Sequence, residues 1–218
     1  HQETLIYMVS NSDIQLPVTL PNNDYSKSSV TKKIITIPKR KVIQGSNETF
    51  LWDNESPEHI IEVESFKVDS LPITWNDMKE FLEENPKLLE KQIININTDY
   101  KIRVSSSKWI DFEEAKNLPA WVPLEIAQLY IEWLNKKDIK CRIMTEEEFD
   151  SMSLNLHSTK QGNLNFKNFH AMPVGYYNDY SEDGVGELFG NGWELTNSQF
   201  RPFPGFKSME IYNEYSSD

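Results

Sequence analysis

The last part of the chain, residues 155–218, has almost no helical or strand periodicity, although it is rich in aromatic side chains. Glycine, asparagine and proline recur through it, and these residues favour turns because they adopt backbone dihedrals that helices and strands exclude. The aromatic side chains still have to be removed from water. We therefore expect irregular loops held by specific packing contacts, and neither a helical bundle nor a parallel α/β sheet.

Shorter patterns before residue 155 predict a few regular elements. Residues 1–9 have the pattern of the last turns of an amphipathic helix, and a polar, proline-containing stretch follows to residue 29. We place a domain boundary near residue 30, so that residues 1–30 comprise the end of a helical unit plus a linker. Residues 31–218 are then one α+β domain. Strands are predicted at residues 34–37, 41–45 and 59–68.

Apolar spacing and capping residues predict three helices in this domain. Thr74 and Asp77 resemble a capping box at the start of the first helix. Thr145 and Glu148 form a second capping box at the start of the last one. The middle helix, over about residues 123–135, is expected to be the longest because it carries a continuous apolar stripe. That stripe consists of Ile126, Leu129, Tyr130, Trp133 and Leu134.

Composition excludes several classes of partner. The net charge is −12 and the pI is about 4.8, so the surface repels phosphate backbones and nucleic acid is not an expected partner.

A single cysteine, Cys141, excludes a disulfide within the chain and any two-cysteine metal or redox site. It is expected to be a buried small hydrophobe in a protein of a reducing, cytoplasmic compartment. No apolar run approaches the roughly 20 residues of a membrane-spanning helix, so no membrane is expected as a partner.

Six segments, in order, resemble motifs of the formylglycine-generating-enzyme-like superfamily. This resemblance implies a C-type-lectin-like α+β fold with little regular secondary structure over about residues 34–218. The segments are 50–59 (FLWDNESPEH), 66–76 (FKVDSLPITWN), 141–149 (CRIMTEEEF), 162–166 (GNLNF), 173–175 (PVG) and 190–196 (GNGWELT). In the first of them, Trp52, Asp53 and Asn54 are expected to lock a turn.

Two further segments narrow the resemblance to iron-dependent sulfoxide synthases of ergothioneine biosynthesis. Residues 1–5 (HQETL) are similar to the end of an HxxxHxE motif in the helical-bundle, DinB-like domain that precedes this fold in those enzymes. Residues 201–206 (RPFPGF) and 211–216 (IYNEYS) are similar to their RPxPGF…YxxYS segment. Formylglycine-generating enzymes themselves need paired cysteines for copper, which one cysteine cannot supply. Ergothioneine biosynthesis is preferred over the related ovothiol pathway.

The resemblance implies a reaction and three site residues. Fe(II) would be held by three histidines, of which His1 is one and the other two precede the chain. The thiol of cysteine or γ-glutamylcysteine would be joined to hercynine (trimethylhistidine) with O₂, giving a sulfoxide. Tyr212 would supply a proton, as a neutral phenol can, and Tyr215 would hold hercynine. Because the chain carries at most one metal ligand, it is expected to be inactive alone.

Other interpretations remain open for the same residues. Tyr212 and Tyr215 can be packing residues beside a Pro-Gly turn. Oxygen atoms of Asp183, Asn191 and Glu194 could bind Ca²⁺, as in some members of the superfamily, although a solvated loop around a buried Trp193 is preferred.

The rival function is a non-catalytic, degenerate binding or interaction domain. Three motifs depart from the family pattern at packing positions, and the segments that follow the YxxYS motif in the family, including a substrate loop, are expected to be missing after Asp218. The three departures are Val122-Pro123-Leu124, Arg142-Ile143-Met144 and Trp193-Glu194-Leu195.

Overall fold

The computed structural model describes residues 2–10, 12, 14, 23–25, 31–48, 51–88, 93–96, 99–104, 108–154, 162–177 and 180–210. His1, Tyr212 and Tyr215 lie outside these ranges, so their roles stay predictions. The boundary proposed near residue 30 also stays a prediction. Tyr25, on its N-terminal side, is 1% exposed and packs into the larger of two hydrophobic cores.

The strands of the described residues form three small antiparallel sheets. Strand β1 pairs with β4, β2 with β3, and β5, β6 and β7 form the third sheet in that order. The strands are β1 (Ile34–Ile37), β2 (Arg40–Gln44), β3 (His59–Val63), β4 (Phe66–Asp69), β5 (Ile93–Ile96), β6 (Asp99–Arg103) and β7 (Trp109–Asp111).

Two strand predictions are confirmed and one is corrected. β1 and β2 occur where apolar alternation predicts them, whereas the single strand predicted at residues 59–68 is two strands, β3 and β4. Residues 64 and 65 interrupt the strand, and the Ser65 hydroxyl donates to the Ile37 carbonyl, 2.8 Å away. Both pairings share one register, with Arg40 opposite Val63 and Ile37 opposite Phe66, so β3 and β4 run on against β2 and β1 as one interrupted antiparallel hairpin.

The helices of the described residues are α1 (Gln2–Ser10), α2 (Lys79–Glu84), α3 (Phe112–Ala115), α4 (Leu124–Lys136) and α5 (Glu146–Ser153). α4 has 13 residues and is the longest of them, as its apolar stripe predicts. The capping box of α5 is also confirmed, because the Glu148 carboxylate accepts the Thr145 N–H at 2.8 Å and the Thr145 hydroxyl accepts the Glu148 N–H.

α2 begins at Lys79, later than the predicted start at Thr74. Thr74 and Asp77 do make the reciprocal bonds of a capping box, with the Thr74 N–H 2.7 Å from an Asp77 carboxylate oxygen. The next two amides, however, donate to another part of the chain: Trp75 to the Leu118 carbonyl and Asn76 to the Lys116 carbonyl. Residues 75–78 form a turn before the helix begins, and the Lys79 N–H closes it by donating to the Asn76 carbonyl at 3.3 Å.

Two hydrophobic cores support these elements. The larger core gathers side chains of α2, α3, α4, β6 and β7, and its centre is aromatic, with the Phe81 and Tyr130 ring centroids 5.4 Å apart. The smaller core joins Ile37 of β1 and Met152 of α5 to Val185 and Leu188 of the following loops. No helix within the described part of the chain is long and apolar enough to cross a membrane.

Side-chain amides hold the irregular loops together. Asn163 and Gly190 form an isolated bridge, and the Asn163 amide nitrogen donates to the His170 carbonyl (2.7 Å) and to the Asn191 side chain (3.1 Å). The Asn191 side chain in turn accepts the Met172 N–H at 2.7 Å and donates to the Met172 carbonyl at 2.9 Å. The GNLNF and GNGWELT motifs are thus mutual packing elements, as expected for loops held by specific contacts.

Gly190 offers a stability test of this contact. Its φ is +72° and an added Cβ would lie 2.7 Å from the Asn163 carbonyl oxygen. We expect Gly190→Ala to lower the free energy of unfolding by about 3 kcal/mol, combining a left-handed residue with overpacking. Gly184→Ala is the matched control, because Gly184 also has a positive φ (+90°) but its Cβ would meet only Ile35, at 3.9 Å.

The control should cost only about 1 kcal/mol, the strain of a left-handed alanine alone. Urea unfolding of both variants measures the difference. Equal losses in the two proteins would show that the Gly190–Asn163 approach contributes nothing to stability.

Candidate functional site

The residues that lead to the predicted tyrosines, 201–210, lie against the loop of residues 45–48 and 51–59, named here the Asp53 loop. The Phe203 ring lies 4.7 Å from the ring of His59, centroid to centroid. The Met209 N–H donates to a carboxylate oxygen of Asp53 at 2.8 Å. The last described residues before Tyr212 are therefore held by a loop that lies far from them in sequence.

Hydrogen bonds between residues that are close in sequence close the Asp53 loop. The Glu55 carboxylate accepts the Trp52 N–H at 3.0 Å, and the Ser56 N–H donates to the Asp53 carbonyl at 3.1 Å, which makes a single 3₁₀ turn. The Ser46 N–H donates to the Glu55 carbonyl at 2.9 Å and ties that turn back to β2. The expected turn at residues 52–54 is confirmed.

Gly45 allows the two segments to approach each other. Its φ is +74°, and an added Cβ would lie 2.8 Å from the Pro57 carbonyl oxygen and 3.1 Å from the Phe203 ring. A side chain at this position would push Phe203 away from His59. The sequence indicates a turn at Gly45, because this glycine ends a predicted strand. It does not indicate that residues 201–206 pack against that turn.

Three carboxylates of α5, those of Glu146, Glu147 and Asp150, interact electrostatically, and the charge of His59 acts on two of them. Burial raises the pKa of Asp150 above its ordinary range, and a hydrogen bond from the Gln44 amide at 2.9 Å partly offsets that shift. Burial also raises the pKa of Glu146, and neighbouring Asp150 and Glu147 add to that shift. The charge of His59 lowers both pKa values. The three adjacent glutamates of α5 gave a signal for this cluster that sequence reasoning did not use.

A second pair of carboxylates lies in the loop around Trp193. Glu187 is 2% exposed, and one of its carboxylate oxygens accepts the Gly175 N–H at 2.8 Å. Burial raises the pKa of Glu194 to about 7, and the charge of Glu187 contributes to the increase. The prediction of a buried Trp193 is wrong, because its side chain is 82% exposed. The loop keeps its shape through the Asn191 side chain, with the Trp121 indole packed on Gly192 instead.

Two of the three residues considered for Ca²⁺ have other contacts. Asp183 makes an ion pair with Arg40 at 2.8 Å, and the Asn191 side chain binds the backbone of Met172. Within the described ranges, no group of three or more His, Cys, Asp or Glu side chains is arranged to hold a metal ion. His170 is buried, and burial lowers the pKa of its imidazole. Cys141 is only half-buried, although it was expected to be buried. The Asn135 side chain binds both the N–H and the carbonyl of Cys141.

Comparison with known proteins places this geometry in a family. Residues 21–214 match the family described as "Sulfatase-modifying factor enzyme 1-like domain". A solved structure, PvdO from Pseudomonas aeruginosa, superposes with a TM-score of 0.56 at 17% identity, covering 81% of this chain and 77% of that one. The expected fold of short strands and irregular loops is thereby confirmed.

The relatives that match this chain include two with functional names from different organisms. "Hercynine oxygenase" of Mycobacterium tuberculosis is 23% identical over 205 residues, covering 80% of this chain and 47% of that protein. "Ergothioneine biosynthesis protein 1" of Neurospora crassa is 23% identical over 322 aligned positions, covering 100% of this chain and 36% of that protein. The chain therefore spans less than half the length of these relatives.

The raised pKa of Glu194 predicts a pH dependence of stability. Between its ordinary value of 4.5 and about 7, the folded state holds this proton more tightly than the unfolded state. Stability contributed by the protonated form is therefore complete below pH 4.5 and is lost as the pH rises through about 7. Glu194→Gln stays neutral at every pH, so we expect its free energy of unfolding to fall less than that of the wild type between pH 5 and 7.5.

Urea unfolding at four pH values tests this expectation. Glu83→Gln, at an exposed position of α2, is the matched control and should follow the wild type. Parallel curves for the wild type and Glu194→Gln would mean that this carboxyl titrates alike in the folded and unfolded states.

Proposed function

The chain belongs to the sulfatase-modifying factor enzyme 1-like family, and on that premise we propose that the complete protein is a sulfoxide synthase of ergothioneine biosynthesis. Its relatives named hercynine oxygenase and ergothioneine biosynthesis protein 1 support a role in that pathway. The structural observation that supports the proposal is the attachment of residues 203–209 to the Asp53 loop, directly before the YxxYS segment.

The proposed reaction joins a thiol to hercynine at the imidazole carbon between the two ring nitrogens. The S–H and C–H bonds break, a C–S bond forms, and one atom of O₂ is added to sulfur while the other leaves as water. The sulfur and the imidazole carbon are oxidised and O₂ is reduced, so no external reductant is required. Cysteine and γ-glutamylcysteine both fit as thiol donors. The cytoplasm is the proposed compartment, since a reducing environment keeps such thiols available.

Tyr212 and Tyr215 have different proposed tasks. A phenol is neutral at pH 7 and can donate the proton that reduced oxygen requires, which is the task of Tyr212. Tyr215 would donate or accept one neutral hydrogen bond with hercynine. A backbone fixed at Met209, three residues before Tyr212, limits the positions that both phenols can take.

Iron(II) is proposed as the metal of the complete protein, where it would activate dioxygen. Its implied ligands are His1 and two histidines that precede it, and none of these belongs to the described residues. The described residues contain no alternative metal-ligating group, so they do not fit the metal by themselves. No step of the reaction is therefore assigned to the metal.

A non-catalytic binding domain is the second candidate function. Trp193 is 82% exposed and Phe200 is 88% exposed, and aromatic side chains in water are typical of surfaces that bind a partner. The residue four positions before His1 in the complete protein discriminates between the two functions. A histidine there completes the helical HxxxH pair that the synthase needs, and any other residue favours the binding domain.

The two tyrosines give the decisive experiment on the complete protein. Tyr212→Phe should keep hercynine binding and lose most sulfoxide formation, because only the phenolic proton is removed. Thiol oxidation should then consume the oxygen instead. Tyr215→Phe should instead weaken hercynine binding by about 1 kcal/mol, the typical value for one neutral hydrogen bond. Steady-state rates of sulfoxide and disulfide formation measure both effects.

Tyr180→Phe is the control, since this exposed tyrosine lies outside the YxxYS segment. If both rings only pack, Tyr→Phe changes neither the product ratio nor hercynine affinity, and only Tyr→Ala lowers stability. An unchanged product ratio in Tyr212→Phe would remove this residue from the mechanism.

A further inference from the structure

Residues 203–209 are attached to the Asp53 loop at successive points. Phe203 packs on His59, and the Phe206 N–H donates to the Phe203 carbonyl at 2.9 Å, which reverses the chain direction. Gly205, at the apex of that turn, has a φ of +89°, and an added Cβ would lie 3.5 Å from Pro57. Further along the chain, the Met209 N–H donates to the Asp53 carboxylate.

The Asp53 contact differs from the others in kind. The Phe203 contact is between two rings and tolerates small sliding movements. The Met209 contact is a hydrogen bond from a backbone N–H to a carboxylate, which is charge-assisted and directional. It is also the last of these attachments before the YxxYS segment, since Glu210 is the only described residue that follows.

The backbone that carries the acceptor is held by its own turn. Asp53 begins the 3₁₀ turn, its carbonyl accepts the Ser56 N–H, and Glu55 closes the same turn through the Trp52 N–H. The neighbouring Glu55 has no contact of this kind with residues 201–210, and its carboxylate serves the turn alone.

We propose that Asp53 is a positioning residue for Tyr212, fixing the backbone at Met209 so that the phenol is presented to the reacting atoms. This inference rests on the proposed function. Consecutive Cα atoms are 3.8 Å apart, so three residues span at most about 11 Å, and a shift at Met209 is transmitted over this short length. A displacement of about 1 Å at a reacting group can lower the rate about 100-fold.

Three variants of the complete protein test the proposal. Asp53→Ala removes the acceptor, and we expect the ratio of sulfoxide formed to thiol oxidised to fall about tenfold or more, because a proton donor is misplaced while the thiol still binds. The KM for the thiol should stay unchanged. Asp53→Asn keeps an acceptor oxygen and should restore most of the ratio. Glu55→Gln, the matched control in the same turn, should leave the ratio at the wild-type value even if it lowers the melting temperature.

Two outcomes would overturn the proposal. A wild-type product ratio in Asp53→Ala would show that the contact does not act on the reaction. An equal fall of the ratio in Glu55→Gln would show that loop stability, and not the contact with Met209, is responsible.

Amide hydrogen exchange separates this proposal from the proposed function. Peptides covering residues 206–215 should exchange faster in Asp53→Ala than in the wild type and in Glu55→Gln, because the Met209 amide loses its acceptor. If the wild type makes no sulfoxide, the proposed function fails and the exchange experiment still tests the attachment. Equal exchange in Asp53→Ala and wild type refutes the attachment, whatever the activity.

Discussion

The hydrogen bonds of the Asn163 and Asn191 side chains are the interaction on which the loop-rich half of this domain depends. A strand ladder joins two segments through many backbone bonds, but the GNLNF and GNGWELT motifs share only one isolated bridge. Each asparagine amide offers both donors and an acceptor, so one side chain can bind several backbone segments at once. Asn191 satisfies both backbone groups of Met172, and Asn163 binds His170 and Asn191. Buried backbone groups that no strand can reach are satisfied in this way.

The same arrangement explains how a site can be built without regular elements. The smaller core packs α5 and β1 against the loops of Val185 and Leu188, and β2 and β3 carry the two ends of the Asp53 loop. The loop is thereby attached to a rigid base, and residues 203–209 are attached to the loop. Functional residues on a loop need such support, because an exposed segment without it moves too freely to orient a reacting group.

Sequence predicted the elements whose determinants are local. The α5 capping box lies within a few residues and is observed. α4 forms where its apolar stripe predicts it, with Ile126 and Tyr130 buried, although Leu129 is 40% exposed. The predicted start of α2 at Thr74 was wrong, because residues 75–78 form a turn although Thr74 and Asp77 make the bonds of a capping box. The sheet of β5, β6 and β7 was overlooked, although Tyr100, Ile102 and Val104 alternate in the pattern of a half-buried strand.

The candidate site shows the same division. His1, Tyr212 and Tyr215 came from a resemblance between motifs, and they remain predictions since they lie outside the described residues. The contact between Asp53 and Met209 joins residues that are 156 positions apart, and no local sequence pattern predicts it. The exposure of the Trp193 side chain could not be predicted from the sequence either. The hydrogen bonds of Asn191, and not the indole, determine the shape of its loop.

The sequence Asn191-Gly192 gives this framework a chemical weak point. Asparagine before glycine is the pair most easily deamidated, since the glycine nitrogen can attack the side-chain amide to form a cyclic imide. In the folded loop, the Gly192 N–H donates to the Gly190 carbonyl at 2.7 Å and the Asn191 amide is bound to Met172. Both reacting groups are thus restrained. The folded state therefore slows the deamidation of Asn191, whereas nothing restrains this reaction in the unfolded chain. A deamidated Asn191 would be a carboxylate that cannot donate to the Met172 carbonyl.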